Sequence, residues 1–428
     1  MVVRSARKGV SRTGVGWGAW GRSSGVGGVV VSRVAALANP RFRLLLVSQT
    51  VAVMGEQMLA VAITVAVVAA GGDAVALGLV LAVRGITLVA FLPVGGVWAD
   101  RLPRRLLMTA AYAAQGLVAG ALAVPAALPV GAAAAAVFVL GIAEAFVRPA
   151  FNGLLRGVLA DEERVSGRSL VSVSIRTGIM VGPAVCVAVI AASGTRAAYA
   201  ITLAVFAAAA LAFWRVAEPR REPAPRASFA ADIRAGVAEA GRRPWVRAIL
   251  AFSAVNLMFV LAPTQVLLPI VSTAEFGSAA VYGVALTCYG VGGLAGGLLT
   301  MAWRPRRPGV VALAAMTLYA AAPASLIFST DAWPVFAAYA VAGAGVEIYA
   351  IHWEVALQRE IPDHLIGRIS SFAWLCGFGL LPFGQALTGP LAELASPAAV
   401  LGAAAALILV LPPALLLVKG MPHFRTQA

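Results

Sequence analysis

Six charged residues stand inside long apolar stretches of the sequence. They are three carboxylates and three guanidinium groups, namely Glu56, Glu144, Glu347, Arg84, Arg148 and Arg176. A charge within a membrane-spanning segment is costly, so such residues line a transport pathway or pair with an opposite charge. Carboxylates can bind and release protons, and arginines can hold anions. We therefore predict proton coupling for the three glutamates and a substrate or coupling cavity for the three arginines.

A structural role is the alternative for each of these charges. Glu144 and Arg148 are four residues apart, which places them on one face of a helix and allows them to pair. Such an ion pair would fix helix packing without any part in transport. The sequence alone leaves both interpretations open.

The composition assigns these charges to membrane helices. Hydrophobic residues make up 61% of the chain, charged residues make up 12%, and the mean hydropathy is +0.90. Soluble domains contain about 25% charged residues, and the limited interior of a soluble fold cannot bury this much apolar surface. Transmembrane β-barrels show alternating segments of about 10 residues, whereas the apolar runs here are long and unbroken. We predict an all-α membrane protein.

A requirement of about 20 apolar residues per span divides the chain into twelve transmembrane helices. The predicted limits are 43–70, 75–98, 106–126, 130–155, 169–193, 197–214, 246–272, 280–302, 309–329, 333–356, 369–393 and 397–418. Alternate loops are rich in arginine, while the intervening loops carry Asp73, Glu275 and Asp331, with Arg196 as the one exception. By the positive-inside rule both termini are cytoplasmic, in a multi-pass protein of the bacterial inner membrane.

Five segments follow from this reading. We predict a disordered basic N-terminal tail (1–41), a six-helix bundle (42–214), a cytoplasmic linker (215–245), a second six-helix bundle (246–418) and a short cytoplasmic tail (419–428). The second part of the linker, from Phe229 to Ala240, has apolar residues at a spacing of four, which indicates an amphipathic helix on the membrane surface.

The two bundles share landmarks in the same order. Gly-Arg precedes the fifth and the eleventh span, and Gly-Pro lies within each of them, at Gly182 and Gly389. A Pro-Arg-Arg sequence follows the second span and a Pro-Arg-Arg sequence follows the eighth. Duplicated halves are typical of transporters that bind their substrate at the midplane between them.

The loop after the second span carries a recognisable motif. Residues Gly96 to Arg105, GVWADRLPRR, resemble the signature loop of the major facilitator superfamily, Gly-x-x-x-Asp-Arg-x-x-Arg-Arg. This resemblance implies the major facilitator fold of two pseudo-symmetric six-helix bundles. It also implies a gating role on the cytoplasmic side, with the carboxylate placed near the start of span eleven around Ile369. The implied gating residues are Gly96, Asp100, Arg101, Arg104 and Arg105; the alternative is that the arginines only anchor the loop inside.

Three further stretches resemble bacterial drug:proton antiporters of the macrolide-efflux and enterobactin-exporter type. They are NPRFR at 39–43, EAFVRPAF at 144–151, and a C-terminal motif that contains Gln358, Pro362, Gly367, Arg368, Gly389 and Pro390. In span five, Gly178, Gly182 and Pro183 match the helix-bend motif of these antiporters, but Cys186 and Val187 replace its final glycine pair. This departure weakens the inference of antiport.

Together these features predict a secondary-active transporter that exports a hydrophobic or amphipathic small molecule, such as a drug, an antibiotic or a siderophore-like compound, in exchange for protons. We expect a monomer whose partners are substrate, protons and membrane lipid. An importer or uncoupled facilitator, or a lipid flippase or membrane-embedded enzyme, are the alternatives. We expect no nucleic acid partner, because the arginines are spread over short loops. We expect no cofactor and no metal, and the Gly-rich N-terminal tail lacks the Lys-Ser/Thr ending of a phosphate-binding loop.

Overall fold

The structure is a computed structural model that describes residues 36–124, 129–160, 163–218, 241–303, 305–361 and 379–424. Its described part is helical and without strands. Five helices form the first part of the chain: α1 (Pro40–Ala69), α2 (Ala74–Arg101), α3 (Arg104–Leu122), α4 (Val130–Val158) and α5 (Arg164–Trp214).

The described residues of the second part contain eight α-helices. They are α6 (Pro244–Asn256), α7 (Ala262–Ala274), α8 (Ala280–Ala302), α9 (Pro308–Thr317), α10 (Ala321–Phe328), α11 (Ala332–Glu360), α12 (Leu381–Ala395) and α13 (Pro397–Leu415). A π-helical turn, Leu257–Leu261, joins α6 to α7, and a 3-10 turn, Leu318–Ala320, joins α9 to α10. Each of these two pairs therefore forms one continuous membrane span.

The helix lengths confirm the predicted fold class. Nine helices in the described part of the chain are long and apolar enough to cross a membrane. One of them, α5, covers the fifth and sixth predicted spans. The nineteen-residue α3 and the described portion of the eleventh span, α12, account for the remaining two. The predicted limits differ from the observed helix ends by a few residues at most positions.

The joint inside α5 lies where the sequence predicts a break. Gly194 has φ 81° and ψ 174°, a conformation outside the helical region, and the helix resumes immediately after it. Only glycine adopts this backbone region without strain. The residue separates two arms, 164–193 and 195–214, that cross the membrane in opposite directions.

Polar caps fix the first two helices. The side chain of Asn39 accepts the amide N–H groups of Arg41 and Phe42 at 3.0 and 3.4 Å, and Asp73 accepts that of Ala76 at 2.8 Å. These caps satisfy donors that a helix leaves unpaired at its start.

Helices pack in close pairs within each part, notably α1 with α5, α2 with α4, and α8 with α11. The two parts meet along two further pairs, α2 with α12 and α5 with α8. Three predicted features lie outside the described residues: the tail up to residue 35, the linker helix from Phe229 to Ala240, and the start of the eleventh span. The division into two bundles at the linker stays a prediction.

Candidate functional site

The centre of the first part contains a buried ion pair between α2 and α4. Arg84 Nε donates to Glu144 Oε1 at 3.1 Å, and a terminal guanidinium nitrogen of Arg84 contacts the same oxygen. Glu144 is 8% exposed. The helices can approach because Gly141 lies at their crossing, where an added methyl group would lie 2.6 Å from the carbonyl oxygen of Arg84. Close backbone packing therefore positions both partners.

Two more charges surround this pair. Glu56 on α1 is within electrostatic range of Glu144, Arg84 and Arg148. The four side chains form a cluster with two positive and two negative groups, which we call the N-terminal charge cluster. Its formal charge is balanced when both carboxylates are ionised, so protonation of either one leaves an excess positive charge on the arginines. A cluster of this kind can link proton uptake to a change in its arginine contacts.

Three buried polar side chains on α1 and α3 have an atom without a hydrogen-bond partner among the described residues. Tyr112 on α3 is fully buried. Its hydroxyl group has no hydrogen-bond partner among the described residues, and neither do the side-chain oxygen of Gln49 and nitrogen of Gln115. Buried polar groups of this kind are usually satisfied by internal water.

A second ion pair joins the two parts of the molecule. A guanidinium nitrogen of Arg176 on α5 contacts a carboxylate oxygen of Glu347 on α11. The Arg176 side chain is 49% exposed and that of Glu347 is 14% exposed. Gly297 on α8 lies beside Glu347, since a methyl group there would lie 3.7 Å from Glu347 Cγ, an ordinary van der Waals distance. This contact is placed to respond to movement between the parts.

The predicted helix-bend residues pack against α1. A methyl group at Gly182 would lie 2.9 Å from the carbonyl oxygen of Met54, and one at Gly178 would lie 2.9 Å from a methyl carbon of Val53. Pro183 follows within α5. The substituted Cys186 is buried, and its thiol donates to the carbonyl oxygen of Met58 at 3.2 Å. The motif positions therefore supply close contact between α1 and α5.

The predicted gating loop connects α2 to α3. Asp100 is exposed, and one of its carboxylate oxygens lies 3.9 Å from a guanidinium nitrogen of Arg104. Arg104 also donates to the carbonyl oxygen of Gly153 at 2.9 Å, which ties the loop to α4. Gly96 has open space around its Cα, and Arg101 and Arg105 are exposed. The predicted contact with Ile369 lies outside the described residues.

One residue that contacts the gating loop, Glu218, was not predicted from the sequence. The carboxylate of Glu218, which follows α5, accepts the amide N–H groups of Arg104 and Arg105 at 3.1 and 3.3 Å. It thereby caps the N-terminus of α3, where a negative charge is stabilised by the helix dipole. The signal available in the sequence was an acidic residue at the end of a span, but the partner is 114 positions away.

The C-terminal family motif is only partly described. Gln358 lies in the last turns of α11 and is exposed, while Gly389 and Pro390 lie within α12. Gly389 packs directly on the backbone of Val75 at the start of α2. Pro362, Gly367 and Arg368 fall outside the described residues. A hydrogen bond of 2.9 Å from Gln385 on α12 to Gln265 on α7 is a further polar contact that the sequence did not indicate.

Comparisons with known proteins agree with this architecture. A family model described as Major Facilitator Superfamily matches residues 45–385. The comparison with curated proteins gives no match. Among solved structures, the chain is similar to the nucleoside transporter NupG, with a TM-score of 0.64 at 12% identity, covering 88% of this chain and 98% of that one.

Two other solved structures are similar over nearly their whole length. A POT family transporter in complex with 5-aminolevulinic acid gives a TM-score of 0.68 at 13% identity, covering 90% of this chain and 96% of that one. A bacterial homologue of the human lysosomal transporter Spinster, in an inward-facing and occupied conformation, gives a TM-score of 0.64 at 16% identity, covering 87% and 95%. At these identities the likeness shows the fold alone.

Proposed function

The chain belongs to the Major Facilitator Superfamily, and we propose that it is a proton-coupled exporter of a hydrophobic or amphipathic small molecule. The observation that carries the proposal is the N-terminal charge cluster, in which Glu144 pairs with Arg84 and Glu56 stands nearby. Ionisable groups in a membrane span are costly and are retained at ion and proton pathways. The site contains what antiport needs, namely a carboxylate that can exchange its arginine partner for a proton.

The surface between the two parts supports an apolar substrate. On the side of the membrane that carries the arginine-rich loops, which we call the arginine-rich end, the facing helices α5 and α8 expose aliphatic side chains. Val173 is 61% exposed, Leu294 is 57% exposed and Leu298 is 59% exposed. Arg176 and Glu347 lie one to two turns deeper. Exposed aliphatic side chains beside a single ion pair suit a molecule with a large apolar body and a small polar group.

Export is driven, in this proposal, by proton binding at the N-terminal charge cluster. With both carboxylates of the N-terminal charge cluster ionised, the arginines are held by their partners. Proton binding to Glu144 or Glu56 neutralises one acceptor and frees an arginine to take part in a different contact. A helix rearrangement that this change favours would couple proton entry to the movement of the two parts. The proton gradient would supply the energy, without a bound cofactor.

The direct test uses purified protein in proteoliposomes that contain a pH-sensitive dye. Ethidium, a macrolide and a tri-catecholate serve as probes of three chemical classes. We expect at least one of them to drive proton movement in the opposite direction. Glu144→Gln and Glu56→Gln should abolish this proton movement while substrate-for-substrate exchange continues, because Gln cannot bind and release a proton.

Glu275→Gln is the matched control, since Glu275 is an exposed residue at the end of α7. It should behave as the unmodified protein does. Proton-coupled export is wrong if all three probes fail to move protons in the unmodified protein. The assignment to the N-terminal charge cluster is wrong if both glutamine variants retain full coupling, and Glu347 then becomes the next carboxylate to substitute.

A further inference from the structure

A cavity of about 620 Å³ opens at the arginine-rich end of the second part of the molecule. Its walls come from the last turns of α8 and α11, the first residue of α9 and the end of the chain after α13. The N-terminal charge cluster and the Arg176–Glu347 pair are not among the residues that line it. Its volume falls in the range of small-molecule sites.

Aromatic packing holds the chain end in place as one wall. The Phe424 ring lies 5.7 Å from Trp245 and 6.5 Å from Trp353, measured between ring centroids. Both Phe424 and Trp245 are buried. Gly309 in the first turn of α9 lies directly beneath the backbone of Met421. The wall is therefore packed against three helices, and it places His423 at the cavity.

Two arginines bring positive charge to the lining. Arg306 and Arg359 line the cavity, and neither forms an ion pair or a hydrogen bond with any described residue. Glu360 also lines it but has an interaction of its own. His352 donates from Nδ1 to the carbonyl oxygen of Ile348 at 2.8 Å, which leaves Nε2 as its second polar atom.

The start of α9 adds a further positive element. Pro308, its first residue, lines the cavity, and no side chain caps this ten-residue helix among the described residues. Its first turn contains no acidic residue. Pro308 has no N–H group, so what this helix start offers an anion is the positive end of its dipole. Two arginines and a helix N-terminus thus lie at one cavity.

We propose that this cavity binds a phosphate group that carries an apolar substituent. Guanidinium groups and helix N-termini are the partners that phosphate oxygens use in proteins. The volume exceeds what a bare phosphate fills, and part of the remaining wall is apolar, with Trp303, Ile351 and Val355. The phosphate can belong to the headgroup of an anionic lipid, since basic pockets between helices bind such headgroups, or to a soluble phosphate ester.

Binding to the purified full-length protein in detergent separates these sources. The probes are dioctanoyl-phosphatidylglycerol, phenyl phosphate and inorganic phosphate, with dioctanoyl-phosphatidylcholine as the zwitterionic comparison. We expect the first probe, or the second, to bind measurably by isothermal titration calorimetry. Arg306→Gln and Arg359→Gln should each weaken this binding by about tenfold to a hundredfold, because each removes a charge-assisted hydrogen bond.

Arg307→Gln is the matched control, because this neighbouring arginine does not line the cavity and its loss changes the net charge equally. Tight binding of phosphatidylglycerol but not phenyl phosphate identifies a lipid site, and the reverse identifies a soluble ester. Equal weakening by all three substitutions would show diffuse surface attraction and overturn the proposal. So would the absence of binding by every phosphate probe, and so would arginine variants that unfold at the same temperature as the unmodified protein and bind equally well.

Discussion

Glu144 shows what a sequence reveals of a buried charge and what it conceals. The residue is recognisable because it interrupts a long apolar run. Its partner cannot be recognised in the same way. Helical spacing indicates Arg148, whereas the structure pairs Glu144 with Arg84, which is 60 positions away on another helix. That choice depends on how closely α2 and α4 pack at Gly141, which no local pattern encodes. The pair Arg176–Glu347 and the cap supplied by Glu218 were hidden for the same reason.

Substituting one partner of the Arg84–Glu144 pair should lower the free energy of unfolding more than substituting both partners with apolar residues. Arg84→Met or Glu144→Leu alone leaves one buried charge without its partner, which should cost about 3 kcal/mol, the lower end for buried pairs because the arginine side chain is 23% exposed. The double variant Arg84→Met/Glu144→Leu should be more stable than either single variant. Thermal unfolding in detergent, followed by circular dichroism, measures this difference. Losses that simply add would show that the two side chains are not coupled.

The helices themselves follow from the sequence more closely than their partners do. Their existence and limits are set by apolar length and by caps such as Asn39 and Asp73, which are local features. The irregular turns inside two spans, Leu257–Leu261 and Leu318–Ala320, were not predicted. A uniformly apolar run does not distinguish α-helical from π-helical or 3-10 hydrogen bonding. These turns depend on packing against neighbouring helices.

Gly194 provides a test of how one residue divides an element. Its backbone conformation is restricted to glycine, and an added methyl group would meet no atom within 4 Å. Gly194→Ala should therefore destabilise the protein by about 1–3 kcal/mol through backbone strain alone. Gly131→Ala is the matched control, since Gly131 also has open space but lies in the helical first turn of α4.

The control should be neutral or stabilising by up to about 1 kcal/mol, because alanine favours a helix. Thermal unfolding of both variants in the same detergent gives the comparison. If Gly194→Ala proves as stable as Gly131→Ala, the two arms of α5 do not require this backbone conformation, and the joint must be held by packing elsewhere.

At the scale of the whole molecule, the two parts touch at the end opposite the arginine-rich loops. Gly78 on α2 lies against the carbonyl oxygen of Gln385 on α12, and Gly389 lies against Val75. Toward the arginine-rich end, Val173 on α5 and Leu298 on α8 are instead well exposed. Along these helices the structure is closed at one end and open at the other, as one state of an alternating-access transporter requires.

A side chain at Gly78 should force α2 and α12 apart at the closed end. The methyl group of Gly78→Val would meet backbone atoms of Gln385 that cannot move aside. Overpacking of this kind costs about 1–3 kcal/mol, and about 1.4 kcal/mol changes an equilibrium tenfold. Gly78→Val should therefore shift the protein toward the state that is open at this end and closed at the arginine-rich end.

Spin labels on Val173→Cys and Leu298→Cys, in a background without native cysteines, should report a larger population of short distances. Gly131→Val, whose added Cβ atom would meet no atom within 4 Å, should leave the distances unchanged. A folded Gly78→Val protein with the original distance populations would mean that no second conformation is within reach, and alternating access of these helices would fail as a description of this molecule.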